Sequence, residues 1–524
     1  MSRWLAGVKS RAAEARSAVN PNRLCFVLLA LASLGFVVAL ELAPIRGADF
    51  WTLLRVGDEI RETGRIPDRF EVTYTEAKDE RFVASEWLGS LLWSYLYRID
   101  GYDGMTVAKC IIALTLSVLI VLLAYQTSGR PNLSLALGCL AALGINFRSL
   151  MRPESLAFVL AAVELNLLHA VLRRGRSPWW LCGVVVSALV WANVHPSFPL
   201  GLAFAPLFAV GEGLDFSVRK GSGRPTEPDL RRVRRSVGLL ALVFFASIAA
   251  TLVNPYGTDL FSHLLQSADR DASAIDYVRA NIWEWQPALH PRFRHEPFLI
   301  VAASIAALVA VSGVVGRRRL RGAPLVLVLA VFPLGMIAIR HIPWFEIMAL
   351  YFLAHSLGGR ALLEGWKPGL TLTAAILGAA LLVTQVGNTQ GQKPGFGDAA
   401  PLNRFAIAWL RAHDISGNVF HSYSYGDQLA YHFYPKVRVA MDSRTYGKNY
   451  YLEYRRMEGG NPRLLAEPAE LGRYLQRYDV RTIVTKPLNM AVWTARGHAD
   501  VLIELGFGIA YYDPGTVILT RNGS

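Results

Sequence analysis

The chain has 524 residues, 53% of them hydrophobic and 18% charged, with a mean hydropathy of +0.30. That balance excludes a water-soluble globular protein. Its 54 Lys and Arg against 40 Asp and Glu give a net charge of +14, which in a soluble chain would suggest nucleic acid. Here much of the excess lies in short loops between apolar runs, where it sets orientation in a bilayer, and no nucleic-acid partner is expected.

The first 23 residues carry Arg3, Lys9, Arg11, Arg16 and Arg23 against a single acid, Glu14. An apolar run from Leu24 to about Leu42 follows. It is long for a secretory signal and lacks a convincing small-x-small cleavage site, so it reads as an uncleaved first span with a cytoplasmic N-terminus. Ten further apolar runs, centred near residues 115, 140, 163, 187, 205, 245, 306, 331, 352 and 378, complete an expected all-α membrane domain of eleven spans. With the loops alternated from a cytoplasmic start, the inner ones have more than twice the Lys and Arg density of the outer ones. Residues Arg219 to Arg235 and Arg317, Arg318, Arg319 and Arg321 lead that excess. The expected location is the plasma (inner) membrane, multi-pass, with the C-terminus outside.

Two outer segments, residues 46–103 and 255–296, are too long to be mere connections. Within the first, Ser85 to Tyr97 (SEWLGSLLWSYLY) is amphipathic and aromatic, as a helix lying in the interface would be. The second carries the interfacial aromatics Trp283 and Trp285. Residues 24–389 thus form a membrane domain. From 390 to 524 the composition becomes that of a soluble extracytoplasmic domain. An amphipathic helix at Leu402 to His413 precedes a strand near Val419, a helix from Gly426 to Tyr434 and a strand from Val437 to Met441. A helix from Pro468 to Tyr478, a strand from Arg481 to Thr485 and a hairpin turning at Asp513, Pro514 and Gly515 complete a small α/β unit.

Walker A, GxGxxG, GxSxG and HExxH motifs are absent, and Cys25, Cys110, Cys139 and Cys182 all lie in or beside apolar runs. The chemistry-bearing residues lie instead at the outer ends of spans. Asp49, in GADFWTLL, follows the first span, where a carboxylate can meet a substrate whose tail is in lipid; the alternative is a solvated loop acid. The outer turn INFRSLMRPESL carries Arg148, Arg152 and Glu154, and two arginines four residues apart offer fork-shaped donors suited to phosphate or carboxylate. A salt bridge to Glu154 or Glu86 is the competing explanation. Arg340 and His341 in IRHIPWF, and His195 in WANVHPSFPLG, sit at further outer turns, where a structural histidine is the plainer reading. Glu164 lies mid-span, as a functional acid or a structural polar contact.

GADFWTLLRVGDEI with VASEWLGSLL, followed by FRSLMRPESLAF, resembles the GT-C superfamily of integral-membrane glycosyltransferases, which use sugars carried on polyprenyl phosphates or pyrophosphates. The overall plan is most similar to oligosaccharyltransferase catalytic subunits and also looks like a bacterial multispanning branch with the same two parts. The resemblance covers residues 24–386 and implies Asp49 as catalytic acid, Glu154 as the second acidic position, and Glu86 in a substrate-contacting place. It admits a divalent cation (Mg or Mn) bridging Asp49 and Glu154. Arg340 with Arg148 or Arg152 would meet the lipid phosphate, with His195 and His341 beside them. SYSYGDQLAYHFYPKVRVAMDSRTYG is similar in layout to the acceptor-recognition region of those subunits, so Tyr425, Asp442, Arg444 and Tyr446 are the residues expected to meet the acceptor. In relatives an aromatic-aromatic-acid-Tyr-Gly motif precedes the strand; here the aromatic pair and the acid are missing and the stretch reads Tyr423, Ser424, Tyr425 and Gly426, a departure that counts against sequon recognition and protein N-glycosylation.

The implied activity is inverting transfer of a sugar from a polyprenyl-(pyro)phosphate donor to an extracytoplasmic glycan, lipid or protein acceptor. The alternative is a non-enzymatic lipid-linked-saccharide flippase or an envelope assembly partner, which would also need many spans and an outer basic patch.

Overall fold

The structure is a computed structural model describing residues 21–521, apart from 46, 48, 149, 222–225, 267–280, 316–320, 359–394, 396, 398, 400, 445–448 and 462. Its first part is a helix bundle: α1 (Pro21–Glu41), α2 (Asp49–Thr63), α3 (Trp87–Ser128), α4 (Pro131–Ile145), α5 (Glu154–Arg174), α6 (Cys182–Val194), α7 (Phe198–Gly221), α8 (Glu227–Thr251), α9 (Asp259–Gln266), α10 (Pro297–Val315), α11 (Gly322–Ile337) and α12 (Ile342–Gly358). Five of these, within α3, α5, α7, α8 and α10, are long and apolar enough to cross a membrane. Shorter apolar helices lie at Phe26–Glu41, Pro178–Val194 and Gly322–Ile337. Ten of the eleven expected span centres therefore fall on helices, but length and composition mark five as full crossings. The eleventh centre, near 378, lies outside the described residues.

The helix α3 joins two sequence features. Its backbone leaves helical geometry at Asp100 and at Gly101, where φ is 53°. Only glycine takes that left-handed value without strain, so the amphipathic stretch beginning at Trp87 is turned away from the apolar helix that follows. α2 was expected as part of a loop. It is a helix because Phe50, Trp51, Leu53, Leu54, Val56 and Ile60 form a buried face against the start of α3. Gly57 permits that approach: a Cβ there would lie 2.1 Å from the Ser90 carbonyl oxygen.

The bundle interior is close-packed. Trp344 lies 5.7 Å from Trp191 in a stacked arrangement and 4.7 Å from Phe158, centroid to centroid, fixing α12 against α5 and α6.

The C-terminal part comprises α13 (Arg404–Ala412), β1 (Gly417–His421), α14 (Gly426–Phe433), β2 (Val437–Val439), α15 (Asn449–Glu458), α16 (Pro468–Arg477), β3 (Val480–Thr485), α17 (Pro487–Ala495), α18 (His498–Glu504), β4 (Phe507–Tyr512) and β5 (Val517–Arg521). The five-stranded sheet has the order β2-β1-β3-β5-β4, parallel across β2, β1 and β3 and antiparallel across β3, β5 and β4. The expected elements are present, and α15, α17 and α18 are additional.

The two parts interlock. β2 is an edge strand with unpaired backbone groups, and the segment following α2 covers it. Val439 N donates to Val72 O at 2.9 Å, Tyr74 N to Val439 O at 3.1 Å, and Thr75 Oγ1 to Ala440 O at 3.0 Å. α14 in turn lies against α2.

Candidate functional site

Four chain turns meet at the end of the bundle nearest the sheet. Asp49 opens α2, and Glu154 opens α5; the positive end of each helix favours an acid there. Arg148 ends a short 3-10 turn after α4, and Arg152 lies in the turn before α5. The two arginines thus project from irregular backbone rather than from one helical face, contrary to their spacing.

They converge all the same, because both reach Glu284. Arg148 Nη1 donates to Glu284 Oε2 at 2.5 Å and Arg152 Nη1 to the same oxygen at 3.1 Å. Arg148 also pairs with Glu154, and Arg152 Nη2 lies 2.5 Å from Asp49 Oδ2. The result is one chain of charges: Asp49, Arg152, Glu284, Arg148, Glu154. It grades from water inward, since the Asp49 side chain is 37% exposed and that of Arg148 only 1%. Burial alone would push the Glu284 carboxyl up, but Arg152 and Arg148 outweigh it and hold the group well below the usual carboxylate range. Burial likewise disfavours the charge on Arg152, yet Asp49 and Glu284 leave it more firmly protonated than an isolated arginine.

Sequence reasoning passed over Glu284. The signal was available as WEW, an acid between the two interfacial tryptophans. Its loop is pinned from both sides: Ile339 N donates to Gln286 O at 3.0 Å and Ala288 N to Met336 O at 3.1 Å. On the other flank Phe147 stacks on Phe298 at 4.2 Å and meets Trp283 edge-on at 6.4 Å.

Arg340 enters from the turn between α11 and α12. Its guanidinium lies 4.6 Å from the Trp285 ring centroid, and its Nε is buried without a hydrogen-bond partner. It is near enough to Glu86, Glu154 and Glu284 to act on each electrostatically. His341 follows it, and burial with the neighbouring Arg340 lowers that imidazole to about 4.

Glu86 and His195 form the adjoining pair, with His195 Nε2 3.2 Å from Glu86 Oε1. Trp87 Nε1 donates to Asn193 Oδ1 at 3.0 Å, joining the start of α3 to the end of α6. Gly89 leaves room for Pro153, whose Cβ would lie 2.6 Å from an added Cβ. The Glu86 side chain is 29% exposed, yet its low-dielectric surroundings push the carboxyl up to about 7 against the pull of Arg152. Burial lowers His195 to about 4, leaving it neutral near pH 7, and Ser197 Oγ lies 2.7 Å from its Nδ1.

The C-terminal residues are arranged differently. Tyr425 is 1% exposed and its hydroxyl donates to Gly515 O at 2.5 Å, so it points into its own domain. Asp442 and Arg444 pair with each other, and the Arg444 guanidinium lies 5.1 and 4.6 Å from the ring centroids of Phe70 and Phe82. That places this pair at the junction with the segment after α2. Tyr446 lies outside the described residues. The carboxylate that does reach the bundle is Asp427, which the sequence reading did not single out: it accepts from Thr52 Oγ1 at 2.5 Å and from Ser443 N at 2.8 Å.

No family model matches this chain, and no curated protein matches it. Solved structures do. An archaeal oligosaccharyltransferase AglB from Archaeoglobus fulgidus, in complex with an inhibitory peptide and a dolichol-phosphate, aligns over 96% of this chain and 74% of its own with a TM-score of 0.56. An Archaeoglobus fulgidus oligosaccharyltransferase in complex with Zn and sulfate aligns over 95% and 73% with a TM-score of 0.59. The chain shares the overall fold of these oligosaccharyltransferases. Sequence identities of 11% and 13% make this a likeness of architecture alone. The alignments cover both the bundle and the sheet.

Among the described residues there is no group of three or more His, Cys, Asp or Glu side chains able to hold a metal ion. Asp49 and Glu154, the two acids expected to bridge one, are paired instead with Arg152 and Arg148. This donor set, with a guanidinium on each acid, does not fit a divalent cation between them.

Proposed function

We propose that this chain is a multi-pass membrane glycosyltransferase, moving a sugar from a polyprenyl-(pyro)phosphate donor to an extracytoplasmic acceptor with inversion at the anomeric carbon. In this reading the membrane is the plasma (inner) membrane, the N-terminus is cytoplasmic, and residues 390–524 form the extracytoplasmic domain. The observation that carries it is the single charge chain from Asp49 to Glu154, bordered by Arg340 with an unpartnered buried nitrogen. Scattered surface charges have no reason to assemble so at one end of an apolar bundle.

Asp49, the exposed end of the chain, accepts the proton from the acceptor's nucleophilic hydroxyl or amide as that atom bonds to the anomeric carbon. The bond from that carbon to the donor phosphate oxygen breaks on the opposite face, and the lipid phosphate leaves with both electrons. Arg340 meets the charge developing on that oxygen. The ion pair with Arg152 aims Asp49, while Glu284, Arg148 and Glu154 hold Arg152 in place. A neighbouring structure supports a lipid-linked donor and an acceptor at the general level, since it is in complex with a dolichol-phosphate and an inhibitory peptide. No step is assigned to a divalent metal.

The test is transfer by the purified full chain from defined polyprenyl-phosphate and polyprenyl-pyrophosphate sugars. Asp49→Asn should lower turnover by on the order of a hundredfold or more with donor affinity kept. Arg340→Gln should weaken donor use, and Arg340→Lys should recover part of it. A flippase would instead translocate a labelled lipid-linked sugar with Asp49→Asn as fast as wild type.

A further inference from the structure

The helix that carries Asp49 belongs to the bundle, but one of its faces is held by the C-terminal domain. Thr52, one turn after Asp49, donates from Oγ1 to Asp427 Oδ1 at 2.5 Å, and the same oxygen accepts from Ser443 N at 2.8 Å. One carboxylate oxygen thus ties together α2, α14 and the segment after β2. Around it Trp51 meets Tyr431 and His432 at 5.0 and 4.9 Å between ring centroids. The Arg55 guanidinium lies 5.9 Å from the Tyr434 ring.

Aromatic packing would suffice for adhesion. A carboxyl that is 1% exposed is costly to bury, so adhesion does not explain it. What a directional bond adds to rings that can slide over one another is a fixed rotation and register of the helix. Residues three apart on a helix share one side, so fixing Thr52 fixes where the Asp49 carboxylate points relative to Arg152. Burial, followed by the neighbouring Asp442 and Asp49, raises the proton affinity of Asp427, while the bonds it accepts from Thr52 and Ser443 pull it the other way, favouring the ionised acceptor.

We propose that Asp427 is a positioning residue: through Thr52 it sets the orientation of α2, so that the C-terminal domain aims Asp49 at its reacting partner. The functional half of this statement rests on the reading of Asp49 as the base. The structural half does not.

The test uses the full chain in detergent with two readouts. Amide hydrogen exchange over residues 49–63 should rise about tenfold in Thr52→Val and in Asp427→Ala, while exchange in β1 and β3 stays at the wild-type rate. Thr52→Ser and Asp427→Asn keep a donor and an acceptor in place and should exchange like wild type. In the transfer assay Thr52→Val should lower kcat by on the order of a hundredfold with the donor KM unchanged, and Thr52→Ser should restore it. Unchanged exchange over 49–63 in Thr52→Val overturns the proposal, as does equal loosening of the sheet. So does a loosened α2 with full kcat, provided that Asp49→Asn is inactive. If Asp49→Asn is as active as wild type, the proposed function fails, and the exchange pattern alone decides whether Asp427 holds the helix.

Discussion

Glu284 and Arg152 are 132 positions apart in the chain, yet Arg152 Nη1 donates to Glu284 Oε2 at 3.1 Å, and Arg148 meets that oxygen from the other side at 2.5 Å. Glu284 is the middle of the charge chain. It is the sole residue among its five members that comes from the loop between α9 and α10, so it closes the site rather than merely lining it.

Glu284→Gln should therefore act on both stability and turnover. Two guanidinium groups lose their shared negative partner, and leaving buried charge undercompensated costs about 3 kcal/mol. A drop of several degrees in Tm, read by intrinsic fluorescence, should accompany a loss of kcat larger than that of Asp442→Asn. Glu284→Gln with wild-type Tm and kcat would mean that the contact is incidental.

The proposed orientation predicts opposite labelling of two engineered thiols. Leu488, 73% exposed, lies in the C-terminal domain, and Ser177 lies in the exposed turn between α5 and α6 at the other end of the bundle. In intact spheroplasts a membrane-impermeant maleimide should label Leu488→Cys and reach Ser177→Cys only after lysis. The reverse pattern would invert the scheme and move Asp49 to the cytoplasmic face.

The elements visible in the sequence are those whose pattern is local. Apolar runs mark the bundle, and short β-branched runs near Val419, Val437 and Arg481 mark the sheet. α2 mixes apolar and charged residues, so composition gives it to a loop, and its helical face becomes clear once α3 covers Phe50 and Trp51. Asp49, Arg148, Arg152, Glu154 and Arg340 are legible because charge at the end of an apolar run is conspicuous. Glu284 and Asp427 are harder to find because what singles them out is a partner far along the chain: Arg148 and Arg152 in one case, Thr52 in the other. Tyr425 and Arg444 illustrate the converse. Both look like recognition residues in sequence, and the structure uses one inside its own domain and the other between two phenylalanine rings.

Glu86 and His195 give the site opposing pH dependences. The Glu86 carboxyl is raised to about 7, so its contribution to stability is fully present below the ordinary value of 4.5 and is lost as pH rises through 7. His195 is lowered to about 4, so its contribution is present above 6.5 and is lost as pH falls toward 4. Glu86→Gln removes the first trend alone. Its Tm relative to wild type should be higher at pH 8 than at pH 5, and an unchanged difference would place Glu86 in freer contact with water than its surroundings indicate.

His421 carries a prediction confined to the C-terminal domain. Its ring is fully buried; Nδ1 donates to Ser422 O at 2.9 Å, and Nε2 accepts from Ala440 N at 3.2 Å and Met441 N at 3.4 Å. These bonds require the neutral ring protonated at Nδ1, because a proton on Nε2 would face two backbone donors. Burial accordingly lowers the group from 6.5 to about 4, despite the pull of the Ser422 carbonyl and Asp442 in the other direction. The stabilisation is whole above pH 6.5 and disappears as pH falls to 4, a loss on the order of 3 kcal/mol for a shift of that size. His421→Gln retains a donor and an acceptor but cannot titrate, so it should be less stable than wild type at pH 7.5 because its fit is poorer. Between pH 6.5 and 4 the gap should close, as wild type loses the His421 contribution and the variant has none to lose. Urea unfolding of the full chain in detergent, followed by exchange protection in β1 and β3, measures that gap at each pH. A gap that stays constant down to pH 4 would show that folding does not lower the proton affinity of the ring, and would overturn this reading of His421.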